Sequence, residues 1–169
     1  MIDGPSVFAV NIVAPYVLTA LLTPPRRTIV LSSSMHLTGS PDLDQVDFSD
    51  PDRRHRAYDD SKLYVTALAM ALARIRPTAL AHAVDPGWVP TRMGGPSASD
   101  SLDEGHRTQT WLATADPAQI DPPTGGYWFH RRARRPHRAA LDAAFQNKLL
   151  AKLEAYTRIA LERTTDLAT

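Results

Sequence analysis

Two short, nearly unbroken apolar runs constrain the fold more than anything else in this chain. Thr28-Ile29-Val30-Leu31-Ser32 is β-branched and continuous, and Thr78 to Val84 is similarly apolar. A strand with one wet face alternates apolar with polar. A continuous run marks a strand covered on both faces, as in a parallel sheet between helices. The intervening segments supply those helices. Ser6 to Leu22 reads as a helix buried almost all round, with Ser6 as its N-cap, and Thr23-Pro24-Pro25-Arg26-Arg27 ends it. A second helix runs from Tyr58 to about Ile75, with Leu63, Ala67, Met70 and Ala71 at helical spacing and Arg76-Pro77 as its stop. Leu102 to Ala115 reads as a helix, Gly125-Gly126-Tyr127-Trp128-Phe129 as a short third strand, and Ala139 to Leu161 as a closing amphipathic helix with frayed last residues. Strand, helix, strand in this order is an α/β architecture within one domain.

Composition narrows the functional classes. The 169 residues suffice for one domain, and 43% hydrophobic with 22% charged residues is ordinary for a soluble globular protein. A net charge of +1 gives no bulk field for nucleic acid or an anionic membrane. His130 to Arg138 holds five Arg without an acid and reads as a solvated loop; it lacks the interleaved aromatics of a nucleic-acid surface. With no cysteine there are no disulfides, thiolate metal sites or Cys nucleophiles. The six histidines show no metal-ligand spacing. Met1 to Pro5 lacks the basic start of a signal peptide, and the uncharged stretch Val7 to Leu22, which contains Asn11 and Pro15, is short for a bilayer span. The expectation is a cytoplasmic protein with no membrane segment.

The chemistry concentrates around Tyr58 and Lys62. Four residues apart on a helix, they share a face. A nearby ammonium favours the phenolate and should pull the tyrosine below its ordinary value of about 10, toward the range where it can exchange protons. With five Tyr and three Lys in the chain, such a pair arises by chance roughly one time in ten, so its neighbours matter. Ser32-Ser33-Ser34 closes the first strand, at the end where open α/β sheets bind ligands. At least one of these serines serves turn chemistry, and another is a candidate to hydrogen-bond a substrate oxygen. The second strand ends in Asp85-Pro86-Gly87-Trp88-Val89-Pro90-Thr91, where Gly87 lets backbone approach a ligand without a Cβ and Thr91 offers a hydroxyl and a cap. Asn11, polar within an apolar helix, either satisfies backbone freed by Pro15 or orders a water near a site. The polar segment from Thr38 to Arg56 reads as a surface excursion over the site, and Gly94 to Ser101 as a mobile loop beside it.

These pieces, in this order, resemble the short-chain dehydrogenase/reductase family: Phe8-Ala9-Val10-Asn11, Ile29-Val30-Leu31-Ser32-Ser33, Tyr58-Asp59-Asp60-Ser61-Lys62, then Pro86-Gly87-Trp88-Val89-Pro90-Thr91. The long separation of serine and tyrosine is similar to the retinol-dehydrogenase-like branch. The resemblance implies the C-terminal, catalytic part of a Rossmann-like doubly wound parallel sheet, about three strands with flanking helices. It implies reversible hydride transfer between a nicotinamide cofactor, NAD or NADP, and a small-molecule alcohol or carbonyl. It casts Tyr58 as general acid/base, and Lys62 as the group that tunes it and holds the nicotinamide ribose. Ser33, or Ser34 if the register slips by one, would polarise the carbonyl. Asn11 would hold a relay water, and Pro86, Gly87 and Thr91 would line the nicotinamide side.

The family's Gly-rich strand-to-helix turn is missing: the Gly pairs at 94–95 and 125–126 have neither its spacing nor its context. The resemblance therefore implies that the first third to two-fifths of a typical member, with the dinucleotide-binding strands and the residue that selects NAD or NADP, is absent. The first strand should then present an open edge, and the flanking helices bare apolar surface that invites a homo-oligomer. Two other readings stay open. One is a cofactor-free enzyme using the same residues for proton transfer; the other is a non-catalytic assembly subunit.

Overall fold

The computed structural model describes residues 7–49 and 57–162. Ser6 as an N-cap, the Met1 to Pro5 start and the frayed last residues fall outside them, as do residues 50–56 of the polar excursion. Four strands, β1 (Arg27–Leu31), β2 (Leu80–Asp85), β3 (Gly126–Phe129) and β4 (Arg132–Arg134), form one sheet in the order β1-β2-β3-β4. The first three run parallel, with Leu31 beside Val84 and Asp85 beside Phe129. A helix over 7–21 precedes β1; its last part is α1 (Ala14–Leu21). The crossovers are α2 (Ala57–Ile75) and α3 (Leu102–Thr114), and α4 (Ala143–Thr157) closes the described chain. Sheet between helices on both faces is the Rossmann-like arrangement expected.

The period of two along β2 sorts the layers. Ala81 and Ala83 join the large core with α2, the helix over 7–21 and α4, whereas Val84 joins Trp128, Leu112 and Ile120 beneath α3. Twelve of the nineteen residues of α2 are buried, so this helix is the spine of the molecule. Residues Leu63, Ala67 and Met70 bury as their spacing required.

Three expectations need correction. The helix over 7–21 is not buried all round: Phe8, Ile12 and Tyr16 form a covered stripe, while Val10, Leu18 and Leu21 are 51%, 58% and 66% exposed. Each buried member of that stripe contributes about 1.5–3 kcal/mol. Strand β1 does have cover on both faces, Val30 joining the main core beneath α2 and Ile29 packing against the cluster beneath α3, although no described strand pairs with its outer edge. The open edge itself was expected. The described part of the excursion, residues 38–49, does not line the cavity. Leu43, Val46 and Phe48 are buried in the main core, with Phe48 edge-on to Phe8 and Tyr156. The Arg-rich stretch, read as a loop, contains β4. His130 and Arg131, both at positive φ, make a two-residue hairpin that brings Arg132 back beside Phe129. The closing helix is also shorter than expected, a 3-10 turn over Arg138–Leu141 preceding α4.

Candidate active site

The carboxyl ends of β1, β2 and β3 open into a cavity of about 1150 Å³, lined by Ser33, Ser34, Tyr58, Lys62, Pro86, Gly87 and Thr91. The first two turns of α2 bring Tyr58 and, one turn on, Lys62 to this opening beside the carboxyl end of β1. The Lys62 ammonium lies 5.5 Å from the centre of the Tyr58 ring and donates to the carbonyl of Leu31 at 3.0 Å. Burial holds the Lys62 pKa below its ordinary value, and the negative charge of Asp85 opposes that shift. Among the described residues no protein group hydrogen-bonds the Tyr58 hydroxyl.

The three serines separate by role. Ser32 is buried and shares a 2.6 Å hydrogen bond with Thr66 of α2, so it is the structural one. Ser33 caps the turn over Ser34–Thr38, its Oγ accepting from the Met35 amide at 3.3 Å. That bond occupies an acceptor position and leaves the Ser33 O–H available as a donor toward the cavity. Ser34, the first residue of the turn, is exposed and also lines the cavity.

Asn11 does not line the cavity. Its amide donates to Ser61 Oγ at 3.0 Å, and Ser61 in turn donates to the Tyr58 carbonyl at 2.7 Å. The residue thus ties the π-helical turn Ala9–Val13, just ahead of Pro15, to the turn that presents Tyr58. At Gly87, φ is +84°, and the space a Cβ would need is already taken by Asp100 Oδ2, which accepts from the Trp88 amide at 2.7 Å. The close approach expected there is made by the chain's own Asp100. Thr91 does act as a cap for the next turn, its Oγ1 accepting from Gly94 N at 3.1 Å. Gly94 and Asp100, at the ends of the Gly/Pro/Ser loop, also line the cavity.

Three groups went unnoticed in the sequence. Asp85 is 6% exposed and has both carboxylate oxygens engaged, Oδ1 by Gly87 N at 2.9 Å and Oδ2 by the Tyr127 hydroxyl at 3.2 Å. His36 is fully buried; its Nε2 accepts from the His137 amide at 3.1 Å, so Nδ1 carries the proton and donates to the Ser33 carbonyl at 2.7 Å. The His36 ring packs 4.4 Å from that of Tyr127. An acid closing a buried strand is a readable signal, because a charge there needs partners. His36 and Tyr127 gave none.

Comparison with known proteins bears on the family and the fold. No family model matches the chain. Short-chain dehydrogenase chry4 of Gibberella zeae is 33% identical over 162 residues, 92% of this chain. The chain belongs to the short-chain dehydrogenase/reductase family. It spans 61% of the length of that relative. A bovine protein named carbonyl reductase [NADPH] 1 is 38% identical over 82 residues, covering 45% of this chain and 29% of its own length. Among solved structures, an uncharacterised protein from Mycobacterium paratuberculosis superposes with a TM-score of 0.71 over 92% of this chain and 59% of its own, at 24% identity, which bears on the fold. No described helix is long and apolar enough to cross a membrane. Among the described residues no cluster of His, Asp and Glu is arranged to hold a metal ion.

Proposed function

We propose that this chain carries the proton-transfer site of an oxidoreductase that interconverts an alcohol and a carbonyl, with Tyr58 as general acid/base. One observation supports this most: Ser33, Tyr58 and Lys62 line a single cavity at the carboxyl ends of three parallel strands. A carbonyl oxygen entering there develops negative charge on reduction. Donation from Ser33 and from the Tyr58 hydroxyl stabilises that charge, and Tyr58 delivers the proton. Lys62 supplies the positive charge beside the phenol. Asn11, through Ser61, fixes the turn that carries Tyr58; a relay water at Asn11 follows from the family resemblance.

A nicotinamide cofactor would supply or accept the hydride. The residues present fit the nicotinamide end of such a group: the Lys62 ammonium, the Thr91 hydroxyl and the backbone at Pro86 and Gly87 face one opening of sufficient volume. The described residues include no Gly-rich strand-to-helix turn for a pyrophosphate. The bovine relative is named for NADPH, which makes NADPH the first cofactor to test. The bare stripe of Val10, Leu18 and Leu21 supports self-association, as in a homo-oligomer.

The test is a titration of the purified protein with NADPH and NADH followed by cofactor fluorescence, then turnover with a panel of aldehydes and ketones. Saturable binding is expected. Tyr58→Phe should lower kcat by about 10²-fold or more while leaving cofactor binding unchanged. Absence of saturable binding, or a Tyr58→Phe variant that turns over normally, would overturn the reading.

A further inference from the structure

The cavity raises a problem that the proposed mechanism leaves open: how a lysine ammonium stays charged against an apolar floor. Its one hydrogen bond to the protein among the described residues is the Leu31 carbonyl, and no carboxylate among them forms a direct ion pair with it. Asp59 and Asp60, its neighbours on α2, point elsewhere, accepting from Thr38 Oγ1 at 2.7 Å and Ser40 N at 2.6 Å. Asp100 is taken up by the Trp88 amide. The other ionisable groups on the walls are Tyr58, Tyr127, His106 and the Arg134–Arg135 pair, none of them a carboxylate.

Asp85 remains. Leu31 pairs with Val84, so the carbonyl that holds the ammonium sits one strand spacing, about 4.8 Å, from the chain that carries Asp85 as its next residue. Alternation along β2 puts Asp85 on the same face as Ala81 and Ala83, the face covered by α2. Tyr127, beside Ala83 on β3, reaches the carboxylate from that face. Two donors on two oxygens fix the carboxylate's rotation, and burial of the residue keeps water from screening it.

We propose that Asp85 is a positioning residue of this site: its carboxylate, clamped by Tyr127 and Gly87, is the fixed counter-charge that holds Lys62 as a cation at the cavity floor. The role in catalysis rests on the acid/base reading of Tyr58, since Asp85 acts through Lys62 and touches no reacting atom. The charge coupling does not depend on that reading.

The chain's three lysines make the coupling measurable. Reductive methylation with carbon-13 formaldehyde places an NMR label on Lys62, Lys148 and Lys152, and Lys62→Arg identifies the Lys62 signal by its loss. In ligand-free protein, Asp85→Asn should lower the Lys62 titration midpoint by about one pH unit or more. Asp85→Glu should restore it toward the wild-type value. Lys148, paired with Asp44, and Lys152, on the Leu43 carbonyl, should not move, and their unchanged signals also report an intact fold. Should Asp85→Asn fail to fold, Asp85→Ser keeps an oxygen for Gly87 N and carries the same expectation. A Lys62 midpoint that is unchanged or raised in the folded variant would overturn the proposal. Because no cofactor or turnover enters this measurement, its outcome is independent of the Tyr58→Phe result.

Discussion

Acidifying the solution should unfasten the second core at a single histidine. His82 sits on β2 and is 1% exposed. Its Nδ1 accepts from Trp128 Nε1 at 3.1 Å and from the Gly126 amide at 3.3 Å, so the neutral ring carries its proton on Nε2. Nε2 faces the Pro123 carbonyl without a hydrogen bond of ordinary geometry. Charging the ring would place a second proton where two donors already point. Burial, aided by the nearby Arg27 charge, lowers the pKa from 6.5 to about 4. In the unfolded chain the imidazole regains its ordinary affinity for protons. The unfolded state therefore binds more protons as pH falls through that window, and stability is lost as the solution turns acid. The full interval corresponds to about 3 kcal/mol, and between about pH 7 and about pH 5 roughly 2 kcal/mol should disappear. Urea unfolding followed by tryptophan fluorescence reads this directly, because Trp128 is itself a partner of the ring. In His82→Gln the amide oxygen can still accept from Trp128 but takes up no proton, so the slope should fall by the share of this ring, leaving that of His36 and His137, whose pKa values burial also lowers. A wild-type midpoint that stays flat between those pH values, or a His82→Gln variant with the same slope, would refute the argument.

Two further outcomes concern a buried contact and the bare surface. Ser32→Ala leaves the Thr66 hydroxyl without its side-chain partner in the sheet–helix interface and should cost about 1–3 kcal/mol in chemical denaturation, with cofactor affinity less affected than stability. Leu18→Glu, on the 58% exposed face of α1, should leave thermal stability within about 0.5 kcal/mol of wild type. The same change should shift sedimentation toward the monomer; an unchanged oligomer would exclude that face as the contact.

What could be read from the sequence, and what could not, divides by range. The strands at 28–32 and 78–84 and the helix ending at Ile75 were legible because their signals are continuous or periodic, and the observed bounds shift by a residue or two. The clustering of Ser33, Tyr58, Lys62, Pro86, Gly87 and Thr91 around one cavity comes from those elements, since parallel strands bring their carboxyl ends to one edge. Leu43, Val46 and Phe48 were hidden because isolated apolar residues among charges carry no period. The helix over 7–21 misled for the opposite reason: an uncharged run says that burial is compatible, not that a neighbour is present. The hairpin that creates β4 depends on His130 and Arg131 adopting positive φ, which these residue types do not announce. His36 meets the Ser33 carbonyl within its own turn, but the contact that fixes its tautomer comes from His137, 101 residues away and beyond the reach of any local pattern.

The strand with the open flank is also the strand whose last carbonyl grips the Lys62 ammonium. A polypeptide laid along that flank would stiffen β1 along its length, up to the oxygen beneath the cation. Company on the outside of the sheet and proton affinity on the inside are thus mechanically joined at Leu31, one residue short of the serines.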